Sequence, residues 1–287
     1  MYDAGTGIAT SVGWGIADFL GGAASRKLSV LLVLLWSQAL GAVISTVCAA
    51  SLLGWPDEPS VAIGLIAGIC GGIGIIAFYT ALARAPMGLV APMSACSGVV
   101  VMAVALARGE APSPVALVGC LIAFVGIVLV AMAEHGPRTE GGLHFDRVAL
   151  GCTVLTVLGF GAALSLLDVA AGDSGLVTSI WSAVMLRYGS LAFIIISVLV
   201  SRTTIVVPDR SAIAPIAGIG VFEMISNALF AVGAAYGSLV VIAVTSSMYP
   251  LTTAALARFV LGERLSTHQF VGAACTFGGA VLLSVPS

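Results

Sequence analysis

Ten apolar runs, each close to the length of a bilayer crossing, constrain this chain more than any motif within it. Breaks at charged, proline and glycine clusters bound them at 7–24, 30–53, 61–83, 87–107, 113–133, 148–170, 177–200, 212–233, 239–260 and 267–285. An α-helix needs about 20 mostly apolar residues to cross the hydrocarbon core, where the backbone must bond to itself. Each run is therefore expected to be one transmembrane helix. Composition leaves no soluble alternative: 60% of the residues are hydrophobic and 8% are charged, whereas a soluble domain is about half apolar and a quarter charged. The expected class is an all-α membrane protein with ten transmembrane helices. Its net charge of −2 lacks the basic footprint of a nucleic-acid binder. Six cysteines (Cys48, Cys70, Cys96, Cys120, Cys152, Cys275) all fall in apolar runs without zinc-ligand spacing, and they read as small buried hydrophobes. The start, Met1-Tyr2-Asp3, has no basic segment, so the first run reads as a retained helix and not a cleaved signal.

The chain also repeats itself. Glu110, Ser113, Val118, Gly119, Gly126, Val128 and Leu129 recur at the same offsets as Glu263, Ser266, Val271, Gly272, Gly279, Val281 and Leu282. Gly13-Trp14-Gly15 corresponds to Gly159-Phe160-Gly161, and Ala67-Gly68 to Ala217-Gly218. Fixed-spacing identity over half a chain marks homologous halves. Residues 1–133 form the first, 134–147 a polar linker and 148–287 the second. Five helices per half is an odd number, so the second half enters from the opposite side and the two repeats are inverted, as in many secondary transporters. Ser113-Pro114 reads as an N-cap followed by a first-turn proline, and Ser266 with Gln269 as a capping box, which leaves Glu110 and Glu263 in surface turns. The other loops are short, so consecutive helices are expected to pack side by side. Gly68, Gly71 and Gly72 offer a small-residue face for close helix packing.

Arg26, Lys27, Arg84, Arg138, Arg147, Arg202, Arg210, Arg258 and Arg264 lie in odd-numbered loops, against Arg108 alone in even ones. The positive-inside rule puts the odd loops in the cytoplasm and both termini outside.

Several local patterns stand out: Asp18-Phe19-Leu20-Gly21-Gly22 with Ser25-Arg26-Lys27, Tyr79-Thr80-Ala81-Leu82, and Pro86-Met87 through Ala91-Pro92 in the first half. In the second half they are Tyr249-Pro250, Leu256-Ala257-Arg258 and Leu261-Gly262-Glu263-Arg264. Together they resemble the EamA-like branch of the drug/metabolite transporter superfamily. The resemblance spans almost the whole chain, one unit per half, and its paired Gly-Glu turns are its more specific mark. It implies export of amino acids, other metabolites or drugs. It also implies cytoplasmic termini, opposite to the Lys and Arg distribution.

Three ionisable residues, Asp18, Arg187 and Glu223, lie well inside apolar runs. At about 2.5–3.5 kcal/mol each on insertion scales, they are expected to face a polar interior. Asn227 is four residues beyond Glu223, and Trp14 one turn before Asp18, each on the same helix face as its partner. In one reading Arg187 pairs with Asp18 or Glu223 and locks helices together. In the other, the three line a cavity where a carboxylate takes a proton or an amine and Arg187 holds a substrate carboxylate. An unpaired Glu223 in low dielectric would be poised to take up a proton. Gln38, Tyr79, Tyr249, Ser94, Ser97 and Ser246 are candidate cavity lining. Pro92 and Pro250 interrupt their helices and are candidate gating hinges, because a helical proline frees a carbonyl. No nucleophile–base pair or metal cluster is evident, so neither an enzyme nor a cofactor is expected. The expected function is secondary transport, as an exporter of a small metabolite such as an amino acid, in a bacterial-type inner (plasma) membrane. Partners would be the small-molecule substrate, lipid, protons where transport is coupled to them, and a second copy where a homo-oligomer forms. A non-transporting membrane scaffold or sensor is the alternative.

Overall fold

A computed structural model describes residues 2–53, 59–109, 114–132, 146–171, 175–236, 245–246, 248–264 and 267–283. Among them the chain is all α-helical. The first half contains α1 (Tyr2–Ser25), α2 (Val30–Leu53), α3 (Pro59–Arg84), α4 (Met87–Ser94), α5 (Ser97–Ala107) and α6 (Pro114–Met132). The second contains α7 (Arg147–Ala171), α8 (Gly175–Val200), α9 (Arg210–Tyr236), α10 (Tyr249–Val260) and α11 (Thr267–Leu283). Among the described residues, five apolar spans are each long enough to cross a membrane: Val30–Ser51, Val61–Arg84, Arg147–Leu167, Ile180–Val200 and Arg210–Phe230. Glu110, Ser113, Ser266, most of the 134–147 linker and the start of the ninth run lie outside the described residues, as do the side chains of Cys120, Asp168 and Gln269.

Polarity runs opposite to that of a soluble protein. Val47, Leu121, Leu199 and Phe259 are exposed on the outside, while Thr10, Gln38, Arg187, Ser226 and Thr253 are buried. That is the arrangement expected when lipid is the solvent. Of the described cysteines only Cys96 is buried and Cys48 is exposed, so the expectation of uniformly buried thiols does not hold. Apolar Cys48 on an outer face meets lipid at no cost.

The fourth run is two helices and not one. α4 ends at Ser94, and Cys96 and Val99 bond to carbonyls three residues back, the tighter spacing of a 3₁₀ turn. Pro92 lies inside α4 and removes the N–H that would bond the Gly88 carbonyl, so continuing the helix brings little gain. Pro250 differs from expectation in the other direction. It occupies the first turn of α10, where a missing N–H costs nothing and the fixed φ suits the start of a helix.

The two halves interlock across a pseudo-twofold relation. α1 packs on α9 and α10, and its counterpart α7 packs on α3 and α5. α2 meets α8, α4 meets α10, and α6 meets α11, each pair composed of equivalent helices. Consecutive helices touch only sparingly, contrary to the side-by-side packing expected from short loops. Small residues explain the difference, because the closest approaches they permit lie between the halves. A side chain at Gly126 would collide with the backbone of Gly272 and Thr276 on α11, and one at Gly279 with Gly119 and Ala123 on α6. These glycines are the repeated ones, so the repeat builds its own interface. Thr10 and Thr156, equivalent positions on α1 and α7, likewise each donate to a carbonyl of the facing helix, Ser226 and Gly74. Gly68 meets the backbone of Leu186 and Gly189, so the small-residue face of α3 does serve close packing, against α8. Gly71 has no such tight contact.

Inversion is visible in the loops. Arg26, after the first helix of the first half, pairs with Glu263, after the fourth span of the second, at 2.5 Å. Arg84 pairs with Asp146 at 2.9 Å, and Trp36 near the start of α2 donates to Val206 in the loop after α8 at 3.2 Å. The odd-numbered loops therefore gather on one face.

Candidate functional site

Chain positions dictate that a site form where α1, α2, α8 and α9 meet, because each carries a polar side chain into an otherwise apolar bundle. Arg187 is 5% exposed. Its Nη1 lies 3.2 Å from Glu223 Oε2 and donates to Gln38 Oε1 at 3.2 Å. Gln38 Nε2 closes the triangle by donating to Glu223 Oε2 at 3.3 Å. Gly41, one turn from Gln38 on α2, makes room for the guanidinium, since a side chain there would run into it. The arrangement is the pairing that desolvation demands: a buried cation gains a carboxylate and an amide oxygen. Glu223 remains 25% exposed on its side chain although it faces inward at mid-helix, so its position is not sealed from solvent.

Asn227 and Trp14 also meet. Trp14 Nε1 donates to Asn227 Oδ1 at 2.9 Å, which ties α1 to α9 one turn beyond the triangle. The indole stands edge-on to Tyr249 with centroids 6.1 Å apart and packs against Phe230 at 5.7 Å. Tyr249 in turn shares a 3.3 Å hydrogen bond with Ser94 at the end of α4. Gly15 brings α10 close, as a side chain there would strike Thr252 and the Tyr249 carbonyl. Ser97 and Ser246 are buried.

Asp18 stands apart from these bonds. Among the described residues it makes no hydrogen bond or ion pair, although Glu223 and both Tyr79 and Tyr249 lie within reach of its charge. Tyr79, 2% exposed, lays its ring on Gly21 of α1. Contacts thus link Trp14, Gln38, Arg187, Glu223, Asn227, Tyr249 and Ser94, whereas Pro92 lies at the α4 break and the Ser97 carbonyl faces Gly161 on α7. Arg187 pairs with Glu223 and not with Asp18. Glu223 is therefore not the unpaired carboxylate, and Asp18 is.

Sequence reasoning missed the Arg26–Glu263 pair. Glu263 was expected only in a surface turn, yet its side chain is 9% exposed and Arg26's is 17%. Gly262, at φ +69°, takes the left-handed conformation that ends α10 and turns Glu263 toward Arg26. Arg26 also donates to the carbonyls of Leu82 at 3.3 Å and Ala85 at 3.4 Å, and Gly88 N donates to Glu263 Oε2 at 3.4 Å. Three loops are joined at one point. The available signal was the glycine before each repeated glutamate: Gly109, at φ +85°, matches Gly262.

Two family-model matches cover residues 4–132 and 149–285 with the EamA-like transporter family. The chain belongs to that family. It is a multi-pass membrane transporter, of a family whose members are not enzymes, and each half is one EamA unit. A comparison with curated proteins finds no significant match. Among solved structures, one crystal structure of a protein is similar with a TM-score of 0.59 at 17% identity, covering 96% of this chain and 95% of the other. That likeness shows a shared fold over nearly the full length of both chains and nothing finer.

Proposed function

We propose that this EamA protein is a secondary exporter of a small organic metabolite, in the amino-acid or amine size range. It would work by alternating access in a bacterial-type plasma membrane. One observation carries the reading: Gln38, Arg187 and Glu223, from both repeats, bond to one another inside an apolar bundle, and Asp18, within reach of the Glu223 charge, pairs with no cation among the described residues. An unpaired interior carboxylate is expensive unless a proton or a ligand offsets it, and binding either one couples the site to transport.

Alternating access needs one closed face, and the reading assigns that closure to the odd-loop face, where Arg26 bonds Glu263 and the carbonyls of Leu82 and Ala85. By the Lys and Arg distribution this face is cytoplasmic. The protein then rests with the cytoplasmic side shut, and export requires this tie to open.

The test is reconstitution into proteoliposomes with an imposed pH gradient. Wild type is expected to move solute in response to the gradient, and Asp18→Asn to lose that response while still assembling. A pH response unchanged in Asp18→Asn would remove Asp18 from coupling, and no flux in a broad metabolite panel would refute transport.

A further inference from the structure

The transport reading leaves the charge of the substrate open, and the interior electrostatics narrow it. Arg187 is the interior cation of the described site, and both Glu223 and Gln38 already occupy it. It is 5% exposed and pressed against Gly41. Both contacts use Nη1, so a substrate carboxylate on the remaining N–H groups would still stand beside Glu223, two like charges on one cation, which disfavours it. The expectation that Arg187 holds the acid end of an amino acid therefore meets a guanidinium whose charge Glu223 already offsets.

The opposite charge is on offer. With all three ionised, Asp18, Glu223 and Arg187 sum to one net negative charge, and among the described residues the unmatched carboxylate is Asp18. Its surroundings are aromatic on both sides along α1. Trp14 lies four residues before Asp18, and Tyr79 covers Gly21 three residues after it. Residues at those spacings share one helix face. Tyr249 stands edge-on to Trp14 and within reach of the Asp18 charge. The Tyr79 hydroxyl, on a side chain 2% exposed, has no hydrogen-bond partner among the described residues. A carboxylate that shares a helix face with an indole and with a phenol's contact is chemistry suited to an organic ammonium ion, by direct charge pairing and by cation–π attraction.

We infer that the substrate of this EamA site is an organic monocation, an amine or ammonium without a free carboxylate. Asp18 pairs with it, and Trp14, Tyr79 and Tyr249 enclose it. The inference rests on the transport reading above and sharpens its substrate class. The Tyr79 hydroxyl and the outer edge of Trp14 supply shape and no net charge, so one positive charge matches the site and two would not.

A matched pair of probes tests it. Phenethylamine and phenylalanine differ only in the carboxylate, and binding to the detergent-purified protein can be followed by calorimetry, with uptake into proteoliposomes alongside. Wild type is expected to bind phenethylamine at least tenfold more tightly than phenylalanine, and tetraethylammonium is expected to compete with it. Asp18→Asn is expected to lose roughly ten- to hundredfold in phenethylamine affinity, the range of one charge-assisted contact. Tyr79→Phe keeps the ring and checks that the site still folds, with a smaller loss. Equal or tighter binding of phenylalanine, or undiminished amine binding in a folded Asp18→Asn, would overturn the cation assignment. So would no measurable binding of either cation. Transport of zwitterions or anions in those cases would leave the transporter reading standing, whereas absence of flux for every solute would sink both.

Discussion

Removing the charge on Glu263 should open the odd-loop face, and the size of the effect follows from its contacts. In the closed state Glu263 Oε1 receives Arg26 at 2.5 Å and Oε2 receives Gly88 N at 3.4 Å. The first is a charge-assisted bond in a largely buried setting, worth about 1.5–3 kcal/mol. The second is long and adds little. Glu263→Gln keeps the shape and loses the charge, so the closed state loses about 2 kcal/mol, near thirtyfold in the closed-to-open ratio. Arg26→Ala is harsher. It strands Glu263 without its cation and leaves the Leu82 and Ala85 carbonyls without their donor, a loss of about 3–5 kcal/mol. Spin labels at Lys27 and Arg264, both exposed, in a cysteine-free background would report the separation of the two loops. A longer-distance population should grow in Glu263→Gln and dominate in Arg26→Ala. Distance distributions that match wild type in both variants would refute the gating role of the pair.

Other substitutions probe the packing and the site. Glu223→Gln should destabilise the fold as well as alter transport, because Arg187 loses its charged partner and keeps only neutral amide oxygens, and a thermal midpoint equal to wild type would contradict this. Gly41→Ala forces the Arg187 guanidinium aside and should reduce flux without unfolding the protein, read in proteoliposomes. Gly126→Leu and Gly279→Leu should each cost about 1–3 kcal/mol through overpacking, and by similar amounts because they are equivalent positions of the two repeats, each against the other's helix. Gly151→Ala, with nothing near its added methyl, should be neutral or stabilising, and thermal denaturation in detergent checks all three. Asp146 is held below the ordinary carboxylate range by the Ala149 backbone N–H and then by Arg84. Because that shift is downward, its contribution is present above about pH 4 and is lost as the pH falls through the lowered value. The stability difference between wild type and Asp146→Asn should accordingly vanish only in acid.

The architecture was legible because lipid makes hydropathy decisive. Apolar runs and charged breaks located helix ends such as Ser25, Leu53 and Arg84 to within a residue or two. The duplicated glycines announced the inverted halves, and Gly126 and Gly279 prove to be the contact itself. What stayed hidden depended on contacts between the halves. Nothing local distinguishes Ala95-Cys96 from the helical residues around it, so the break after α4 had only Pro92 as a hint. Whether Arg187 meets Asp18 or Glu223 depends on how α1, α8 and α9 pack, which helix periodicity does not fix. Arg26 and Glu263 looked like ordinary solvated surface charges because their burial comes from a third element, the α3–α4 turn. The scaffold is symmetric and the site is not. By the correspondences of Gly13 with Gly159 and Ala67 with Ala217, the positions matching Asp18 and Glu223 are Leu164 and Ile73. The polar groups are additions to one half each, and no repeat-based reading could have paired them.

Alternating access around the interior cluster is tested most directly by a single cysteine at Asn227 in a cysteine-free background. It would be probed in sealed, oriented vesicles with a membrane-impermeant thiol reagent. In the otherwise native protein the thiol should react from the even-loop face only, and with Arg26→Ala it should become reactive from the odd-loop face. Reaction from the odd-loop face in the native background, or from neither face in both, would contradict a site whose access is switched by the Arg26–Glu263 tie.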